Sequence, residues 1–266
     1  MRDMAQIRFA CGMLGVFVCG ALAPDVQAQS PTTLATNVAK PDTLVQAWLQ
    51  FPSGERVVPP YAYIRAGASD ERLSGARSDL MAEYERLRWR LEDGGYADYV
   101  RALDAWKQEI TSRDTSRVPG NWSAAYLLAH PNHVPDMKRI AAIGACRTPD
   151  TVGVWSARGY ERVEWRSGLR LSDIYDKAPS LRKGSTGVVA VVDPYGQVDR
   201  YGVQAWNYAD GEIAPGAQVV GSFPLSGEAF EWLQKAMADY LAHTVSGTEC
   251  REQSFKGEKR SASADN

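Results

Sequence analysis

The chain has 266 residues, enough for one or two domains of ordinary size, and its 44% hydrophobic content supports a buried core. Thirty Lys plus Arg stand against 32 Asp plus Glu. That balance leaves no net basic field to gather nucleic acid or anionic lipid, so nucleic acid is not an expected partner.

Residues 1–28 read as a secretory signal peptide. Arg2 and Arg8 give a weakly positive start, Phe9 to Ala23 is apolar but short for a membrane span, and Val26-Gln27-Ala28 places small residues before a cleavage site after Ala28. Cys19 follows Val18 and Cys11 has Arg8 three residues before it, so neither fits a lipoprotein signal. The expected location is therefore the periplasm, with cleavage removing Cys11 and Cys19. Cys146 and Cys250 remain, and a remaining pair in an oxidising compartment is expected to form a disulfide.

Residues 29–40 are polar and read as a flexible leader. Leu44 to Leu49 reads as strand or helix, followed by a turn at Pro52-Ser53-Gly54 and a strand at Arg56-Val57-Val58. The clearest pattern runs over 72–111. Leu73, Ala76, Leu80, Tyr84, Leu87 and Leu91 alternate spacings of three and four. Gly94-Gly95 breaks the pattern, and Tyr96, Tyr99, Leu103, Trp106 and Ile110 resume it. Two helices joined by a glycine turn predict an antiparallel helical hairpin, with Tyr84, Tyr96, Tyr99 and Trp106 in its seam.

Ala124 to Leu128 is strand-like, and Ile140 to Ile143 is expected to open a second domain. Thr151 to Trp165 reads as a hairpin about Ala157-Arg158-Gly159, and Leu171 to Ala178 as a short helix. Gly187 to Val192, Gln197 to Trp206 and Ala217 to Phe223 read as three strands separated by turns at Asp193-Pro194-Tyr195-Gly196 and Ala214-Pro215-Gly216. A helix over 226–245 follows, with Ser226 as its expected N-cap. Phe230, Leu233, Met237, Tyr240 and Leu241 share one face, while Glu231, Gln234, Lys235, Asp239 and His243 fall largely opposite. That apolar face is either core or a docking surface for another chain or a membrane-associated assembly. Residues 246–266 form a polar tail, expected to be disordered beyond about Cys250.

Val191-Val192-Asp193-Pro194-Tyr195-Gly196, Ala205-Trp206-Asn207 and Ala214-Pro215-Gly216-Ala217, in that order and before a terminal helix, resemble the capsule biosynthesis GfcC family. The resemblance spans about 60 residues. It implies a periplasmic accessory protein of capsule or exopolysaccharide export. It also implies an α+β fold of two β-grasp-like domains, a helical hairpin inserted in the first and an amphipathic helix at the end. On this reading the first domain covers 41–137, the second 138–224 and the helix 225–245. The family tends to place Thr-Gly-Arg after the inserted hairpin. Here Thr111-Ser112-Arg113 keeps the arginine and replaces the glycine, making Arg113 the candidate for binding a glycan or a partner. Its guanidinium can fork to a carboxylate, or simply sit solvated at the end of a helix.

Residues for chemistry are sparse. His130-x-x-His133 with Asp136 has a metal-like spacing, but Pro131 and Pro135 exclude a regular helix, so this reads as a surface loop and no metal is expected. There is no Gly-x-Ser-x-Gly elbow and no phosphate-cradling glycine loop, hence no expected cofactor. The expected function is a non-catalytic accessory role in capsule or exopolysaccharide assembly and export. Its expected partners are polysaccharide, an export-machinery protein, or both. The alternative is a periplasmic enzyme on polysaccharide, its carboxylates assembled only in three dimensions.

Overall fold

A computed structural model of the chain describes residues 41–52, 57–113 and 115–255. The expected signal peptide, the leader and the end of the tail lie outside these residues. In chain order the elements are α1 (Leu44–Gln50), β1 (Ala62–Ala66), α2 (Gly67–Asp93), α3 (Ala97–Thr111), α4 (Ala124–Ala129), β2 (Ile140–Arg147), β3 (Thr151–Ser156), β4 (Gly159–Glu164), α5 (Leu171–Lys177), β5 (Val188–Val192), β6 (Val198–Gly202), β7 (Gln218–Val220), α6 (Glu228–Ala242) and β8 (Thr248–Ser254). The fold is mixed α+β with two sheets, one of order β1-β2-β8 and one of order β4-β3-β7-β5-β6.

Local chemistry decides two elements, one that read as strand or helix and one that read as strand. Thr43 accepts from the Gln46 amide at 3.1 Å and so caps α1. Leu44 and Ala47 then fall on one helical face and are buried. Ser123 caps α4 in the same way through the Tyr126 amide. Alanine and leucine then continue that helix, overriding the strand reading of Ala124 to Leu128.

The three-stranded sheet is antiparallel throughout, with Ile64 opposite Ile143 and Ile143 opposite Gln253. Leu44, Trp48, Phe51, Ile64, Leu127, Ile140 and Ile143 form its core. β2 therefore belongs here with β1, whereas the sequence order suggested that 138–145 opens the second sheet. The tail also differs from expectation. Residues 248–254 pair with β2, the Phe255 amide donates to the Ala141 carbonyl at 2.7 Å, and the Phe255 ring is buried. Backbone pairing orders a segment whose side chains are polar and exposed, which is how an edge strand hides from a hydrophobicity scan.

The five-stranded sheet has one parallel pair, β3 with β7, between antiparallel partners. It is covered on both faces. Val152, Val154, Val189, Val191 and Val219 meet α5 through Leu171, Ile174 and Tyr175. Trp155, Ala190, Val192 and Val220 meet α6 and the helical pair. Burial on both sides explains why β5 reads as an uninterrupted apolar run.

Helices α2 and α3 are joined by Gly94 to Tyr96, with Gly95 at φ 75°. Leu80, Tyr84, Leu87 and Leu91 pack with Leu103, Trp106 and Ile110. Tyr96 is exposed rather than in the seam, at the turn itself.

Helix α6 begins at Glu228 after Gly227, one residue beyond the expected cap. Leu233, Met237, Tyr240 and Leu241 are each at most 1% exposed, and Phe230 is half-buried against the same cluster. The Tyr84 hydroxyl reaches Met237 Sδ at 3.5 Å, and the Tyr240 hydroxyl donates to the Arg113 carbonyl at 2.8 Å. The face named as a possible docking surface is thus occupied within the chain. Gln234, assigned to the polar side, is buried too, and its Nε2 donates to the Val188 and Val220 carbonyls at 3.0 Å each. The helix meets α2 on one flank and the sheet on another, so its buried arc is wider than a surface helix needs.

Candidate functional site

The chain leaves the three-stranded sheet after β2, builds the five-stranded sheet and α6, and returns as β8. Cys146 on β2 and Cys250 on β8, 104 positions apart in sequence, are joined by a disulfide. Gly247 is required beside this bridge, because a Cβ there would collide with Cys146.

The return path forms one wall of a polar cleft of about 460 Å³. Its other walls are the end of α3, with Glu109, Ser112 and Arg113, the strands β3 and β4, with Thr151, Tyr160 and Arg162, and Gln218 of β7. Thr244 to Cys250 closes the side nearest the disulfide.

Arg113 lies in this cleft, and its side chain is 16% exposed. Its Nη2 donates to Glu109 Oε1 at 3.0 Å, to the Tyr160 hydroxyl at 3.2 Å and to Gln218 Oε1 at 3.4 Å. The guanidinium carbon lies 5.6 Å from the Trp155 ring centroid and 5.8 Å from that of Tyr160, within cation–π range. The nearest carboxylate that Arg113 meets is therefore one of its own chain, one helical turn back. Gln218 in turn accepts from Trp155 Nε1 at 3.0 Å and donates to the Gly216 carbonyl. Gly153 makes room for that amide, since a Cβ there would strike it.

Arg162 stands at the rim with its side chain 62% exposed. Its Nε donates to the Tyr160 hydroxyl at 3.2 Å and its Nη2 approaches Glu109 Oε1 at 3.4 Å. The Tyr160 contact holds the Arg162 guanidinium even more firmly in its charged form.

A second arginine after the hairpin has a different task. Arg117 is 4% exposed. It donates through Nε to the Ala242 carbonyl at 3.0 Å, through Nη1 to Pro194 and through Nη2 to Asp193 at 3.5 Å. Burial lowers its pKa to about 10, and burial also raises that of Asp193. A cation against the last carbonyls of α6 is favoured by the helix dipole. The Asp193–Gly196 turn is clamped at the same place. Gly196 has φ 85°, and a Cβ there would lie 2.6 Å from the Ala242 carbonyl oxygen. The Gly120 amide completes the clamp by donating to the Tyr195 carbonyl at 2.8 Å.

Of the residues singled out in the sequence, Arg113 is in the cleft and Cys250 lies on its edge. Phe230, Leu233, Met237, Tyr240 and Leu241 are not. His130 and His133 are exposed, packed ring to ring at 5.7 Å beside Tyr126. Among the described residues no group of three or more His, Cys, Asp or Glu side chains is placed to hold a metal ion. No helix of the described residues is long and apolar enough to cross a membrane. Tyr160, Arg162, Gln218 and Arg117 carried no signal in the sequence. Their roles depend on strand register and on where the hairpin ends, and neither is a local property.

Residues 160–246 match the family model described as capsule biosynthesis GfcC C-terminal. The match contains β4, α5, the three strands β5 to β7 and α6, and with them Tyr160, Arg162, Gln218 and the Asp193–Gly196 turn. No curated protein matches the chain. The region that packs around the cleft and receives Arg117 is thus similar to the C-terminal part of the GfcC capsule biosynthesis family, a likeness that points to a role related to capsule biosynthesis.

Proposed function

We propose that this protein is a non-catalytic accessory component of capsule or exopolysaccharide assembly and export. It works in the periplasm after loss of residues 1–28, and the cleft around Arg113 receives a glycan or an export-machinery partner. The observation that carries this reading is the family match over 160–246, which covers four of the five strands of the larger sheet together with α5 and α6. The order β4-β3-β7-β5-β6, with α5 crossing between β4 and β5 and one central parallel pair, supports a β-grasp reading of that unit. The three-stranded sheet, with α2 and α3 inserted between β1 and β2, supports a second, smaller β-grasp-like domain. The disulfide is consistent with export to an oxidising compartment.

The cleft chemistry favours binding over hydrolysis. A polysaccharide hydrolase needs one carboxylic acid and one carboxylate free to face the bond. Of the two carboxylates that line the cleft, Glu109 and Asp150, Glu109 has one oxygen committed to two guanidinium groups, which leaves at most Asp150 free of such a partner there.

Deleting the gene in a strain that expresses it should lower surface polysaccharide, with restoration by the full chain and not by a chain lacking residues 1–28. Unchanged polysaccharide in the deletion strain would overturn the proposal. Release of reducing ends from purified capsule polysaccharide by the purified protein would overturn its non-catalytic part.

A further inference from the structure

The charges of the cleft cancel inside it. Among the described residues its lining holds two guanidinium groups, Arg113 and Arg162, and two carboxylates, Glu109 and Asp150. Glu109 Oε1 lies between both arginines, at 3.0 and 3.4 Å, and the Tyr160 hydroxyl accepts from both at 3.2 Å. A site built for an anion keeps its cations free to meet it, whereas here both guanidinium groups already meet the Glu109 carboxylate and the lining carries as many carboxylates as cations. The Tyr160 ring is not free to stack on a sugar either. Arg113 and Arg162 approach it at 5.8 and 5.6 Å, and Trp155 lies 4.5 Å from it.

What remains is a dense set of hydrogen-bonding groups of both kinds. Thr151, Ser246 and Thr248 add hydroxyls to the lining, each able to donate and accept, and the Ser112 hydroxyl, which donates to the Glu109 carbonyl at 2.7 Å, can accept. Adjacent donors and acceptors match the hydroxyls of a sugar, which also do both. The volume of about 460 Å³ lies within the ordinary range for a small-molecule site, about 300–1,000 Å³.

We propose that the cleft takes an uncharged, hydroxyl-rich sugar residue of a polysaccharide rather than a uronate. In this site Arg162 is the ligand-contacting donor, and Arg113 is a positioning residue that fixes Glu109 and the Tyr160 hydroxyl. This deepens the binding reading given above and rests on it. Its geometric basis is the difference between the two arginines: Arg162 is mostly exposed at the rim, while Arg113 is largely buried and held at three oxygens.

The test is titration calorimetry of residues 29–266 with four probes: maltotriose, cellotriose, mannotriose and trigalacturonate. At least one neutral trisaccharide should bind more tightly than trigalacturonate, with affinity unchanged within about twofold between 50 and 500 mM NaCl, because a neutral ligand forms no charge pair with the site for salt to screen. Arg162→Gln should weaken it at least about tenfold, the loss of one charge-assisted hydrogen bond, without moving the unfolding midpoint. Arg113→Lys, which keeps a cation for the Glu109 pair but not the planar guanidinium, should retain part of the affinity that Arg113→Ala loses. Tighter, salt-sensitive binding of trigalacturonate overturns the proposal, as does binding of none of the four at tens of millimolar or full affinity in Arg162→Gln. The capsule phenotype of the deletion strain is read separately, so failure here leaves the accessory role standing.

Discussion

Replacing Arg117 with methionine isolates the clamp that joins the loop after the hairpin to the rest of the chain. The substitution keeps most of the buried volume and removes the donors. Asp193 keeps a second partner, because its carbonyl also accepts from the Gly196 amide at 2.9 Å. The carbonyls of Ala242 and Pro194 lose the guanidinium contacts described above. A buried acceptor left unmet costs about 1–3 kcal/mol, so two of them cost about 2–6 kcal/mol. Against this stands the expense of burying the cation, which the lowered Arg117 pKa of about 10 reveals. The expected net loss is about 2–4 kcal/mol. Urea unfolding followed by tryptophan fluorescence measures it, with an unchanged m-value showing that stability alone has moved. Amide exchange supplies a local check, since the Gly120 amide should lose protection when the Tyr195 carbonyl is no longer held. A methionine variant within 1 kcal/mol of wild type, with Gly120 still protected, would refute the reasoning.

Cys146→Ser with Cys250→Ser opens a loop of 104 residues and should cost about 2–5 kcal/mol in the same unfolding assay. A denatured, unreduced sample of the wild-type chain 29–266 should titrate no free thiol, and two thiols would exclude the bridge. Met237→Asp puts a carboxylate at a fully buried position between α2 and the sheet, and should abolish cooperative unfolding at 25 °C; a folded variant that has lost only partner binding would restore the docking reading of α6. Gly196→Ala forces a side chain into positive φ against the Ala242 carbonyl, and should lower stability by about 1–3 kcal/mol in thermal unfolding, whereas an unchanged midpoint would mean that the turn is not clamped. Trp206→Ala removes a side chain that is 83% exposed and should shift the unfolding free energy by no more than about 0.5 kcal/mol.

Periodicity reveals elements with one wet face and one dry face. The hairpin and the apolar stripe of α6 were legible for that reason, because spacings of three and four mark a face whatever covers it. What covers it is a separate matter. The stripe Leu233, Met237, Tyr240 and Leu241 reads the same whether its partner is a foreign protein or its own sheet. The strand reading of Ala124 to Leu128 failed because the Ser123 cap outweighed composition, and the Thr43 cap settled as helix a segment that read either way. The strand β8 failed because its order comes from backbone pairing and from Cys250, not from its exposed side chains. Trp155, Trp122 and Trp165 each fall in a segment without a clear apolar stripe, so local spacing assigns none of them to a face. The structure buries Trp155 fully and leaves the other two half-buried, according to the sheet face and edge on which each falls.

By itself the sequence determined the helical hairpin, the order of strands through 151–220, the two cysteines left to pair and Arg113 as the arginine to watch. The first three follow from local spacing, turn chemistry and elimination, and Arg113 follows from the resemblance of Thr111-Ser112-Arg113 to the family's Thr-Gly-Arg. The tertiary structure decided that β2 and β8 share a sheet around everything between them. It also decided that α6 is core and that Arg113 meets Glu109 in a charge-balanced cleft beside Arg162. Those depend on which strands become neighbours and in what register, a result of the whole chain burying its apolar faces together that no window of the sequence contains.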